Sequence, residues 1–158
     1  MTKSALIARV IARLSADLEQ LTAAALATHA EATDEENKAE DKYDTRGLEA
    51  SYLAHGQSKA AEEAAQAVAQ FESLPVRDFA AGEPISLGAL VTIAGKGRSH
   101  YFIGPRAGGT EIKADGQEVM VITPQSPLGR QLVGRKQGDT LSLDFGGKRS
   151  DYRVVSVS

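Results

Sequence analysis

Two unlike domains are predicted: an all-α antiparallel coiled-coil hairpin, then an α+β domain with an antiparallel sheet and one short helix. Three observations predict them. All five prolines follow Leu74, as do 13 of the 15 glycines, whereas 19 of the 25 alanines precede Pro75. Residues 1–74 carry 13 acidic against 7 basic side chains and residues 75–158 carry 8 against 11, within a net charge of −3. The apolar pattern changes at the same point, from a helical period to short alternating runs separated by turns. The division is residues 1–74 for the hairpin, 75–84 for a linker and 85–158 for the sheet domain.

In the first part, Ile7, Ile11, Leu14, Leu18, Leu21 and Ala25 follow the 4-3-4-3 spacing of a heptad seam. Ala50, Leu53, Gln57, Ala60, Ala64, Ala67, Phe71 and Leu74 repeat it. A chain that doubles back buries one seam against the other, and the alanines let the helices approach closely. Arms of roughly 30 to 40 residues would be about 45–60 Å long, more than a small compact domain needs. Glu40-Asp41-Lys42-Tyr43-Asp44 falls at the symmetric midpoint, inside the densest run of carboxylates. Thr33-Asp34-Glu35-Glu36 reads as a capping box and would start the second helix earlier. Clustered carboxylates at a helix end are commonly just solvated. They also suit Mg²⁺, often held by one or two protein carboxylates with the remaining oxygens from water and a partner.

In the second part, strands are predicted at 90–93, 100–103, 119–122, 140–145 and 152–157, punctuated by Gly95-Lys96-Gly97, Gly104-Pro105, Gly108-Gly109, Asp115-Gly116 and Gly146-Gly147. Ser126 is the N-cap of a short helix, Pro127 its first residue, and Gly134 lies just past its end.

Several functional classes are excluded. Without cysteine there is no disulfide framework, thiolate zinc site or cysteine nucleophile. His29, His55 and His100 are too scattered for a metal cluster, and Ser99, His100 and Ser126 show no triad context. Arg9 and Arg13 interrupt the apolar N-terminus, so no signal peptide is expected, and no apolar run is long enough to span a membrane. The expected location is the cytoplasm. Arg98, Arg106, Arg130, Arg135, Lys136, Lys148 and Arg149 allow a weak DNA or RNA contact through the basic second part.

The run from Ser126-Pro127-Leu128-Gly129-Arg130 through Gly134 to Gly138-Asp139, with Gly146-Gly147-Lys148 and Tyr152-Arg153-Val154-Val155-Ser156-Val157, resembles the C-terminal domain of bacterial Gre transcript cleavage factors. Leu87–Ile93 resembles that domain's opening strand, and Arg13-Leu14, Leu18 and Leu21 the family's first coiled-coil helix. The resemblance implies an FKBP-like C-terminal domain that binds RNA polymerase, with Ser126, Pro127, Leu128, Gly129, Arg130 and Gly134 as partner-binding residues. It implies a coiled coil inserted into the secondary channel, stimulating the polymerase's own cleavage of the 3′ end of backtracked RNA. Two tip acids in an Asp-x-x-Glu-Asn pattern would share Mg²⁺ with the polymerase active site; no intrinsic cofactor is expected.

An ungapped match from the helix-one leucines places these acids at Asp41 and Asp44, with Asp for Glu and Thr45 for Asn; the alternative register uses Asp34 and Glu36. The departure leaves open a channel-binding regulator without cleavage. Asp44 also suits a helix N-cap. A peptidyl-prolyl isomerase is a weaker expectation: the second part has Phe79, Tyr101, Phe102, Phe145 and Tyr152 but no tryptophan for a proline pocket. A plain coiled-coil dimer is the remaining alternative.

Overall fold

The computed structural model describes residues 2–33 and 46–158. The elements in order are α1 (Lys3–Thr33), α2 (Arg46–Glu72), β1 (Leu90–Ala94), β2 (Arg98–Ile103), β3 (Glu111–Ala114), β4 (Gln117–Ile122), α3 (Pro127–Leu132), β5 (Thr140–Phe145) and β6 (Lys148–Val157). They confirm a helical N-terminal part followed by an α+β part with one short helix. Thr2 caps α1: its hydroxyl accepts from Ala5 N at 3.2 Å and its carbonyl from Leu6 N at 3.0 Å. The predicted tip, with the candidate acids Asp34, Glu36, Asp41 and Asp44, lies outside the described residues.

Residues 11–69 form one compact unit containing most of both helices. On α1 the seam is as expected, with Leu14 and Ala25 buried, Ile11, Leu18 and Leu21 half-buried and the flanking positions exposed. On α2 the seam runs one residue later than predicted at its start, because Leu53 is 57% exposed while Ala54 is 5% exposed. It continues through Gln57, Ala61, Ala64 and Ala67. Alanines on several sides of this helix leave its period ambiguous in sequence, so only burial separates Ala54 from Leu53.

The second unit comprises residues 1–10 and 70–158. The division read from sequence follows composition; these units follow contacts, because the first turns of α1 and the last turn of α2 pack within the sheet-containing unit. The six strands run in the order β3-β4-β2-β1-β6-β5. The sheet is mixed, which corrects the all-antiparallel expectation: β2 and β4 are parallel, with Tyr101 opposite Met120 and Ile103 opposite Ile122. After β2 the chain crosses the end of β4's position, held by Gly104 N–Ile122 O (2.8 Å) and Gly109 N–Val121 O (2.7 Å). It returns as the edge strand β3, then turns back at Asp115-Gly116, both at positive φ, so that β4 fills the gap.

One face of the sheet carries the core of Val91, Ile93, Ile103, Ile122, Leu143 and Val154, covered by Leu132 of α3 and by Ile85 and Ala89. The opposite face carries Phe102, on which Phe71 from the end of α2 packs with ring centroids 6.4 Å apart. Both phenylalanines are buried, and a Cβ on Gly104 would stand 2.8 Å from Phe71 Cζ. Lys3 joins three distant parts of this unit. Its Nζ donates to Arg77 O and Ser158 O, each at 2.7 Å, and lies 4.8 Å from the Phe79 ring centroid. Arg77 stacks on the same ring at 3.9 Å and pairs with Glu83 at 2.6 Å. Burial holds the Lys3 ammonium below the usual lysine range, opposed by the nearby Asp78 and Glu83 carboxylates.

Candidate functional site

The turn and helix at residues 123–138 are built by short-range chemistry. Ser126 is extended at φ −65°, ψ 157°, and its Oγ accepts from Gly129 N at 3.0 Å while donating to Thr123 O at 2.7 Å. Pro127 follows as the first helical residue, where its missing N–H costs no bond. Gly129 has no room for a side chain, since a Cβ there would lie 1.8 Å from Thr123 O. Leu128 and Leu132 anchor the helix to the core. Gly134, at φ 89°, ends it and donates to Ile85 O at 2.9 Å, while Ile85 N donates to Arg135 O at 2.8 Å.

These contacts divide the six predicted partner-binding residues. Ser126 and Gly129 shape the turn from within, and Leu128 roots it in the core. Pro127, Arg130 and Gly134 are exposed. Beside them the structure brings out Val133, 39% exposed, with exposed Arg135 and Lys136. The exposed residues of this segment therefore include apolar Pro127 and Val133 and cationic Arg130, Arg135 and Lys136, a composition suited to docking on an apolar, acidic protein surface. Sequence reading did not single out Val133; the signal was the adjacent Gly134, which ends the helix and leaves Val133 at its C-cap. Replacing Ser126 with alanine is expected to lower unfolding stability by about 1 kcal/mol, measurable by denaturant titration.

His100 Nδ1 lies 2.9 Å from Thr92 Oγ1, while Ser126 Oγ is committed to the turn. Among the described residues no group of three His, Cys, Asp or Glu is placed to hold a metal, and no helix is long and apolar enough to cross a membrane. A hollow of about 740 Å³ on the β2–β4–β3 side is lined by Tyr101, Met120, Glu111, Lys113 and other polar residues. Tyr101, whose phenol burial pushes above its ordinary value, is the one aromatic in that lining. Phe102 is buried under Phe71 and Phe79 sits between Lys3 and Arg77. The aromatic wall of a proline pocket is not assembled there.

Residues 83–158 match the family model described as "Transcription elongation factor, GreA/GreB, C-term". The similarity also reaches beyond that part. The transcription inhibitor protein Gfh1 of Thermus thermophilus is 30% identical over 128 residues, 74% of this chain and 73% of the relative. The chain belongs to the GreA/GreB family.

For this Gre-family chain, transcription elongation factor GreA of Xylella fastidiosa is a second relative, 35% identical over 89 residues, 54% of this chain and 52% of that protein. The solved structure of GreA factor homolog 1 (Gfh1) of Thermus thermophilus aligns with 94% of each chain at 22% identity, with a TM-score of 0.40. The turn Ser126–Gly134 thus lies inside the part that defines the family, while Asp41 and Asp44 lie outside it.

Proposed function

We propose that this Gre-family chain binds RNA polymerase through the face at Pro127, Arg130 and Val133, inserts its helical hairpin into the secondary channel, and promotes cleavage of backtracked RNA. The observation that carries the polymerase reading is the 30% identity to Gfh1 over 128 residues, which spans helices and sheet rather than the sheet alone. The Ser126–Gly129 turn supports the docking role, since it presents a rigid apolar and cationic face. Cytoplasmic location follows from this partner. The basic sheet domain adds a weak contact to DNA or RNA.

The cleavage step rests on the tip sequence. Asp41 and Asp44 are carboxylate donors three residues apart, a set that fits Mg²⁺ when a partner and water supply the remaining oxygens. Bound within the polymerase, the ion would supply charge stabilisation for phosphodiester hydrolysis. This chain contributes the two carboxylates and their placement near the 3′ end of the RNA.

A second reading, a channel-binding regulator without cleavage, is favoured by two observations. The relative that spans three-quarters of the chain is named a transcription inhibitor. The tip carries Asp44-Thr45 where the family pattern has Glu-Asn. A stalled elongation complex separates them. Under the first reading the protein shortens the RNA with Mg²⁺ present, and the Asp41→Ala, Asp44→Ala double variant loses roughly 10–100-fold of that rate while still displacing another channel-binding factor. Displacement without any shortening supports the second reading. Failure to displace overturns both.

A further inference from the structure

We propose that the cleft between Arg98 and Arg153 is a phosphate-binding site, suited to one or two phosphate groups of a nucleic-acid strand or a free nucleotide. The cleft has a volume of about 570 Å³ and is lined by Ala94, Arg98, Gln137, Gly138, Arg153 and Val155. Its construction is set by strand register. Ala94 on β1 lies opposite Arg98 on β2 and opposite Arg153 on β6, so both arginines project from the same face on either side of a one-carbon side chain. Two inter-strand spacings separate their Cα atoms by about 9.5 Å. That leaves the guanidiniums free to converge on one phosphate or to take two neighbours.

Both arginine side chains are available. Each residue is exposed, and neither guanidinium makes a hydrogen bond or ion pair among the described residues. The nearby acids are committed elsewhere: Asp139 accepts from Lys136 N at 2.8 Å, and Asp151 from Ser142 Oγ at 2.8 Å. Arg77 and Arg106, by contrast, are engaged by Glu83 and Gln70. The cleft also holds the exposed Gln137 beside Gly138, whose N–H is spent on Val154 O.

The chemistry suits phosphate and offers nothing to a base. Guanidinium forks match tetrahedral oxyanions with paired N–H donors. No aromatic ring lines the cleft, so a base has no stacking surface and recognition is confined to the backbone or to free phosphate. Arg98 also lines a neighbouring hollow, but Glu111 and Glu118 stand there against Arg98 and Lys113, so that hollow carries no net charge. The site rests on the nucleic-acid contact proposed above and deepens it, but it does not depend on polymerase docking.

The test uses the full chain without polymerase. Fluorescence anisotropy with a 5′-labelled single-stranded RNA, and competition by inorganic pyrophosphate, are read for wild type, Arg98→Gln with Arg153→Gln, and Lys59→Gln. Binding by the double variant is expected to weaken about tenfold at low salt, and the slope of log K against log salt to flatten by about 1.4 for two lost phosphate contacts. Lys59→Gln, an exposed position on α2 outside the sheet domain, is expected to change binding less than about twofold. Displacement of RNA by pyrophosphate assigns the site to phosphate in general. Pyrophosphate binding without RNA binding assigns it to free nucleotides; RNA binding that resists pyrophosphate but is lost in the double variant assigns it to a strand. Equal losses in Lys59→Gln, no loss in the double variant, or no binding of either probe overturns the proposal. Should the double variant fail to fold, amide resonances of Ala94, Gln137 and Gly138 in the wild-type protein are expected to shift on pyrophosphate addition, and unshifted resonances overturn it. Polymerase displacement is measured separately, so either reading can fail alone.

Discussion

Phe71→Ala is expected to destabilise the sheet-containing unit by about 3–5 kcal/mol, the range for emptying a fully buried phenylalanine site. The side chain is 1% exposed and fills a recess with close neighbours on two sides: the tilted Phe102 ring and the bare backbone of Gly104. Gly104 cannot repair the loss, because it has no side chain, and Phe102 is already fully buried. Collapse around the gap would require β2 to shift, and β2 is hydrogen-bonded to both β1 and β4. Chemical denaturation should show a lower midpoint with an unchanged slope. A loss below about 1 kcal/mol would show that the recess closes, against the packing described here.

Gly129→Ala carries the second large effect, about 3 kcal/mol with local rearrangement of the turn. A methyl group cannot coexist with a carbonyl oxygen 1.8 Å away, and that oxygen, Thr123 O, is itself bonded by Ser126 Oγ and Ser126 N. Relief therefore requires breaking the N-cap as well as moving the helix. The change removes no exposed side chain, so any accompanying loss of polymerase binding reports the shape of the docking face. Pro127→Ala is the useful contrast, since it alters the exposed surface at a position that tolerates alanine. A Gly129→Ala protein with wild-type melting and wild-type competition for polymerase would contradict the account of this turn.

Much of this architecture was legible because local chemistry dictated it. The α1 seam, the Ser126 cap and the proline that follows need only neighbours within four residues. β3 escaped notice because it is four residues long and offers just Ile112 and Ala114 to the core, although the Asp115-Gly116 turn after it was visible. The parallel pairing of β2 with β4 was not legible either. Strand direction depends on where residues 104–110 cross, and hydrophobic alternation looks the same in both directions. At the candidate site the turn formers could be read directly, whereas the shared face of Arg98 and Arg153 comes from pairing across strands far apart in sequence.

The bonds from Lys3 to Arg77 and Ser158 span 74 and 155 residues of chain. β6 lies inside the sheet, between β1 and β5, so neither of those strands has its full set of partners until residues 148–158 have been made. The helical segment carries no such debt, since its contacts are available as soon as residues 11–69 leave the ribosome. Until β6 is made, the sheet-containing unit in which Leu6 and Val10 of α1's first turns are buried is incomplete.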